Sequence, residues 1–344
     1  MVNFSIISQG YLVRPIQDSL AAHGCVVHLQ PELDKWDFRN SDYVLLHGPA
    51  NPIGKIVRSL KKMADVPPII VWYSEPVPDP RTPVWRARMM SSPRYFAESW
   101  YDEKLAGWIS SLSRKKLLAP SFPRWRRVGE LLALKETKRL GLVCTFCQTQ
   151  TDFLRGLGLP VMVLPFGYHS DFGRNLNLPR ENDVLFLGTT NDARRKRIFP
   201  ILQKAFAEKD IRLRIIDGNP NTGTYFADDR TQLLNRTKIL LNVVKQPWDN
   251  HIFRMLLASA NGTMLMSEPV WEKSRWNYIP GVHFVSCELE HMAESARSYL
   301  NDEPARLAIV NRAHIDTVEE WSMTQMAGRL LNRLKDLDEP GSEK

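Results

Sequence analysis

The sequence predicts an α/β protein of two domains, each built on a parallel, doubly wound sheet, and three observations lead there. The chain has 344 residues, too many for one ordinary core and suited to two domains of roughly 150 residues each. Short β-rich runs alternate with helical stretches along both halves, a rhythm that goes with parallel strands joined by crossover helices. A polar stretch without periodicity, HSDFGRNLNLPREN, separates two such series, and the interdomain linker is expected there, at about 170–182.

In the first domain, expected over 1–172, NFSIIS reads as a strand and Gly10 opens the loop after it. VRPIQDSLAAHG reads as a helix stopped by Gly24. CVVHLQP, DYVLLHGP and PPIIVWYSEP follow as strands, with an amphipathic helix, NPIGKIVRSLKKMA, between the last two and Pro52 near its start. LGLVCTFCQ is a strand, TQTDFLRGLG a helix closed by glycine, and PVMVLPFG a further strand. Residues 81–135, rich in Arg, Trp and Pro, break the rhythm and read as an insert in this domain.

The second domain is expected over 183–317. DVLFLG, IRLRIIDG, ILLNVV, TMLMSEP and HFVSC are its strands. NDARRKRIFPILQKAF, DRTQLLNRTK and HIFRMLLASANG are helices between them. Asp228-Asp229 reads as the N-cap of the second of these. A long helix over about 318–337 comes last, within a terminal segment 318–344.

Composition narrows the class. A hydrophobic fraction of 43% and a charged fraction of 24% are those of a folded soluble protein. The start, MVNFSIISQG, lacks a basic region followed by a long apolar run, so no signal peptide is expected. No apolar run approaches the roughly 20 residues of a membrane span. Cys144 and Cys147 form a lone C-x-x-C without a second pair to complete a zinc site, and they read as reduced core thiols of a cytoplasmic protein. The net charge of +8 suits anionic company (phosphates, a membrane surface, nucleic acid) and equally a solvated basic surface.

Open parallel sheets bind ligands beyond the C-terminal ends of their strands, so the strand-to-helix loops are examined first. In LFLGTTNDARRKR, Gly188 lets the backbone approach a phosphate, and the helix that follows offers N–H groups with Arg194, Arg195, Lys196 and Arg197 in its first turns. A helix turns about 100° per residue, so one or two of these cations face any one ligand. In KQPWDNHIFRMLLASANGTMLMSEP, Asp249, Asn250 and His251 lead into a helix with Arg254 in its first turn, again an anion site, while His251 serves equally as a cap. Glu268, at the end of the next strand, is placed to accept from a ribose. IIDGNPNTGTYF borders a nucleoside base or is turn chemistry alone.

In the first half, Gly10, His47 and Glu75 lie at or just past strand ends. Sugar transfer with inversion needs a general base, and His47 or Glu75 would serve. Trp72, Tyr73 and Pro76 around Glu75 suggest apolar surroundings that would raise its pKa. No G-x-G-x-x-G, G-x-x-x-x-G-K-[ST], H-E-x-x-H or G-x-S-x-G occurs. The one D-x-D, Asp336 and Asp338, falls in the polar tail.

The words DVLFLGTTNDARRKRIFPIL, LLNRTKILLNVV, FRMLLASANGTMLMSEP and PGVHFVS, in this order and spacing over about 183–315, resemble the C-terminal domain of the group 1 glycosyltransferases. Within the GT-B superfamily they resemble the spore-maturation-protein (CgeB-like) branch, and WYSEP resembles that branch's N-terminal domain over a shorter match. The resemblance implies two facing Rossmann-like domains, with the terminal helix crossing back to the first. It implies a nucleotide-sugar donor held mainly by the second domain and no required metal or other cofactor. The expected activity is transfer of a hexose-like sugar from a nucleoside-diphosphate sugar to an acceptor, with Glu75 or His47 as base or acceptor-orienting group. One departure matters: the family pattern R-L-F-E-A-M-A-x-G has glutamate where this chain has Leu257, and Asp249 stands eight residues earlier. Leucine accepts no hydrogen bond, so either ribose is held otherwise, by Glu268 for instance, or the donor site is altered. Two other readings stay open: a nucleotide-sugar-binding or scaffold protein without turnover, and a membrane- or nucleic-acid-associated module using the insert through Arg124, Arg126 and Arg127. An anionic or membrane-associated acceptor, and a cytoplasmic enzyme peripheral at the membrane, follow from the last.

Overall fold

The computed structural model describes residues 1–8, 12–30, 37–47, 63, 65–99, 122–217 and 227–338. Gly10, most of the helix expected at 51–64, the middle of the insert with Trp100 and Trp108, and the loop 218–226 lie outside these residues. The chain divides into two compact units, Met1–Pro165 with Ala327–Lys344, and Phe166–Met326.

The first unit carries a six-stranded, all-parallel sheet in the order β2-β1-β3-β4-β5-β6. Its strands are β1 (Asn3–Ser8), β2 (Val26–Leu29), β3 (Tyr43–His47), β4 (Ile69–Tyr73), β5 (Leu140–Thr145) and β6 (Val161–Val163). Strands β3 and β4 are buried along their whole length, as expected of central parallel strands covered on both faces. Trp72 is buried in β4 and donates its indole N–H to Leu164 O at 2.9 Å. Cys144 and Cys147 are buried free thiols, and burial pushes the Cys144 thiol up.

Helices α1 (Val13–Ala22), α2 (Val84–Ser99), α3 (Phe122–Glu136) and α4 (Gln148–Gly156) complete this part of the unit. The described parts of the insert form two helices, α2 and α3, packed on one another. Its two described tryptophans differ: Trp125 is buried against Phe153, whereas Trp85 is 68% exposed.

The second unit is a five-stranded parallel sheet in the order β11-β10-β9-β7-β8. The strands are β7 (Asn182–Leu187), β8 (Leu213–Ile216), β9 (Thr237–Asn242), β10 (Met264–Ser267) and β11 (Val285–Ser286). Its helices are α5 (Ala193–Ala207), α6 (Ala227–Asn235), α7 (Ile252–Ala260), α8 (Met292–Asn301) and α9 (Glu303–Ile315). Apolar clusters cover both faces, one centred on Phe186, Phe199 and Phe206, the other on Leu185, Leu240 and Phe284. Asp228 and Asp229 sit inside the first turn of α6 rather than ahead of it. The chain leaves β7 to one side for β8 and then returns to the other side for β9, so the loops after β7 and β9 diverge there and leave a crevice, the usual ligand position in such sheets.

The boundary between units falls at Pro165/Phe166, ahead of the polar stretch expected as a linker at 170–182. That stretch lacks periodicity because, after a single 3-10 turn at Ser170–Phe172, side-chain donors and acceptors hold it to the rest of the second unit. Asn261 donates to Phe172 O at 3.0 Å, Asn235 accepts from Leu176 N–H at 2.6 Å, and Arg180 donates to Thr237 O at 2.6 Å and Asn261 O at 3.0 Å.

The end of the chain is also less uniform than its pattern. A π-helical turn, Asp316–Glu320, comes first, and helix α10 (Met323–Asp338) starts only after Ser322. At the break Tyr168 N–H donates to Trp321 O at 2.8 Å and Met323 N–H to Tyr168 O at 2.7 Å. This approach requires glycine at 167, where a Cβ would lie 2.4 Å from Ser322 O. Among the described residues, no helix is long and apolar enough to cross a membrane.

Candidate functional site

Two helix starts flank the β7–β9 crevice, and the structure closes one of them. At α5 the N-cap is Asp192, whose carboxylate accepts from Arg194 N–H at 3.0 Å and Arg195 N–H at 3.3 Å. The free N–H groups expected there for a phosphate are thus already occupied by this side chain. At α7 the N-cap residue His251 makes no capping hydrogen bond. Asn250 Oδ1 accepts from Ile252 N–H at 3.2 Å, and the backbone N–H of Arg254 has no acceptor among the described residues. The start of α7 therefore keeps its partial positive charge and the Arg254 N–H, features that attract an anion.

The basic residues also divide. Arg195 is buried and used by the fold: it donates to Val243 O from Nε at 2.9 Å and from Nη2 at 2.6 Å, and to Thr189 O at 2.9 Å. It ties the β7–α5 loop to the end of β9. Arg194 forms a two-pronged ion pair with Glu268 and donates to Val244 O at 2.6 Å. Glu268, buried, accepts also from Val244 N–H at 2.9 Å. With three donors on its two oxygens it is a strut for Arg194, not the open ribose acceptor expected from sequence. Lys196 is exposed on α5, with no side-chain contact among the described residues.

Arg254 is different. It lies over Gly188, where a Cβ would come within 2.6 Å of Nη2 and where φ is +153°, so only glycine leaves room. Its Nη1 donates to Leu187 O at 2.6 Å, and its guanidinium carbon stands 4.7 Å from the Phe186 ring centroid. Among the described residues no carboxylate pairs with it, and Leu187 O is its one hydrogen-bond acceptor. Burial, with Arg195 nearby, pushes its pKa down to about 9, so it remains charged at neutral pH. A half-buried guanidinium with most of its five N–H donors open, at a helix start whose cap residue makes no side-chain bond, has the chemistry to hold an anion.

His251 is buried edge-on to Phe284 and Tyr278, with neither ring nitrogen hydrogen-bonded, and burial pushes it down to about 3. It is a neutral packing group. Asp249 precedes it, half-buried, with its N–H on Gln246 O. Leu257 packs against the cluster that contains Tyr278 and Phe284, which accounts for an apolar side chain there.

In the first unit, Glu75 follows β4 and its carboxylate pairs with Arg127, not with the apolar surroundings expected. Arg124 donates to Val77 O at 3.0 Å, and Arg126 stands 3.6 Å from Glu130. All three arginines turn inward, so they do not form the surface read from the insert. His47, at the end of β3, is buried, and burial pushes it down to about 4. Sequence reasoning missed the self-capping role of Asp192, although an Asp ahead of a helical run is the N-cap signature. It had no signal for Phe186 under Arg254 or for the carbonyls of Val243 and Val244.

Residues 195–332 match the model of a family described as glycosyl transferase-like. The whole fold is similar to that of Anabaena HepE, solved in complex with UDP and glucose, with a TM-score of 0.56 at 10% identity over 98% of this chain and 100% of that one. It is also similar to sucrose-phosphate synthase of Thermosynechococcus elongatus, with a TM-score of 0.56 at 12% identity over 98% and 99%. No curated protein matches in sequence. The fold is that of the GT-B glycosyltransferases, two parallel-sheet α/β domains. The family match, within the second half, and this fold are both likenesses to glycosyltransferases.

Proposed function

We propose that this protein transfers a sugar from a nucleoside-diphosphate sugar to an acceptor, without a metal ion, and that the diphosphate lies between Arg254 and the start of α7. The single observation that carries the reading is Arg254: a half-buried cation at a strand-to-helix junction with no carboxylate partner among the described residues. When the bond from the sugar's anomeric carbon to the diphosphate breaks, the electron pair stays on the phosphate oxygen. The Arg254 guanidinium and backbone N–H would stabilise that charge, the task a metal performs elsewhere. Arg194, aimed by Glu268, is a second cation at the rim of the crevice. The bond is then completed by an acceptor oxygen, whose proton leaves to a base or to solvent.

The first unit is proposed to serve the acceptor. There Glu75, held by Arg127, orients the acceptor, and His47 is a neutral imidazole at pH 7. The sequence words, rather than the fold, support the CgeB-like branch. The complex of HepE with UDP-glucose makes that nucleotide sugar the first donor to test. Calorimetry with UDP, together with hydrolysis and transfer assays on UDP-sugars, tests the proposal with wild type and Arg254→Ala. Binding and turnover by wild type, both lost in the variant, are expected. Equal rates for the two proteins would remove Arg254 from the site, and donor binding without any turnover would reduce the proposal to a binding protein.

A further inference from the structure

The insert presents a surface that the proposed transfer does not use. On α2, Trp85 is 68% exposed, Met89 54% and Val84 45%. Trp85 and Met89 are four residues apart and so share a face, one helical turn above the other. The opposite face of the same helix carries Ala87 and Ser91, both buried, so the exposed side chains are on the outward side of a docked helix. Arg86 and Arg88 are exposed beside them, and neither pairs with a carboxylate among the described residues. The nearby acids are already engaged: Asp79 by Arg81 at 2.6 Å and Asp152 by Arg155 at 3.7 Å. Val84 reaches Gly156, so Arg155 is close to the apolar face as well.

We infer that this face of α2 docks the protein on an anionic lipid surface, with Trp85, Met89 and Val84 in the headgroup–acyl boundary and Arg86 and Arg88 on lipid phosphates. The occupant follows from the composition of the face. A tryptophan with aliphatic and thioether neighbours, flanked by arginines, matches the interfacial layer, where an amphipathic ring and apolar stems are buried shallowly under anionic groups. A nucleic acid would use the ring and the charges but leave Met89 and Val84 without a function.

The test is sedimentation of the full chain with phosphatidylcholine vesicles, with and without phosphatidylglycerol, at low and high salt. Wild type should bind the anionic vesicles, release at high salt, and bind the neutral ones weakly. Trp85→Ser/Met89→Ser and, separately, Arg86→Glu/Arg88→Glu should each lower the vesicle affinity about tenfold or more, since each surface cation and each inserted side chain adds its own increment. Unchanged melting temperatures and an unchanged response to UDP show that the variants fold. Absence of vesicle binding, equal binding to neutral and anionic vesicles, or variants that bind like wild type each overturn the inference. So does preference for a single-stranded oligonucleotide over vesicles, or a salt-resistant dimer in solution that the Trp85→Ser/Met89→Ser variant dissociates.

Discussion

Replacing Arg254 by Met separates the binding role of this residue from any structural one. Its contacts with the fold are the carbonyl of Leu187 and the Phe186 ring. A hydrogen bond from a charged donor is worth about 1.5–3 kcal/mol, and a desolvated cation–π contact about 1–2 kcal/mol. Against these stands the burial of the charge. A fall from 12.5 to about 9 corresponds to about 4–5 kcal/mol at full burial, and partial exposure reduces this toward the size of the contacts. The penalty is fully present below about pH 9, because the group is protonated there in both the folded and the unfolded chain. Methionine keeps a similar stem and places its sulfur on the Phe186 ring. The ligand-free variant should therefore unfold in urea within about 1 kcal/mol of wild type. Binding of UDP is another matter. Losing the charge-assisted hydrogen bonds to a diphosphate costs about 2–3 kcal/mol, and calorimetry should show affinity falling roughly 30- to 150-fold. The reasoning is refuted if the variant binds UDP within about threefold of wild type. It is refuted equally if the ligand-free variant loses more than about 3 kcal/mol, which would mark Arg254 as a structural strut whose charge the chain already satisfies.

Three other variants probe the surroundings. Glu268→Gln breaks the two-pronged pair and frees Arg194, and it should lower stability in urea by about 2–4 kcal/mol and raise the donor KM, with little change if Arg194 does not face the donor. Gly167→Ala puts a Cβ 2.4 Å from Ser322 O, so the backbone must move, and chemical denaturation should show a loss of about 2–3 kcal/mol. His251→Phe tests acid sensitivity. Burial holds the folded-state pKa at about 3, so as pH falls below 6.5 the unfolded chain takes up a proton first and wild type loses stability until about pH 3. The stability difference between variant and wild type should shift in the variant's favour by about 2–3 kcal/mol between pH 7 and pH 4.5, leaving the parallel contribution of His47 in place.

The sequence by itself determined the architecture. Runs such as DYVLLHGP and DVLFLG are apolar on both faces and separated by helix-length segments, and only parallel strands under two layers of helix bury such runs. It also pointed to the junctions proposed for the donor, because a glycine after a strand and an arginine in the first turn of a helix are local features. What it left undecided was which cations are free. Arg194, Arg195 and Arg197 look alike in sequence, yet Glu268 lies 74 residues from Arg194, and Val243 lies 48 from Arg195. Those partners meet only because the strand order puts β9 beside β7 and β10 beside β9. The same distance effect hid the fate of the 170–182 segment, whose partners Asn235 and Asn261 come from later helices. A charge's availability is set by everything within a few ångströms of it, and in a parallel sheet those neighbours come from loops far apart along the chain. Tertiary structure therefore distinguishes Arg254, with one hydrogen-bond acceptor among the described residues, from Arg194 and Arg195, which are held by Glu268 and Val243.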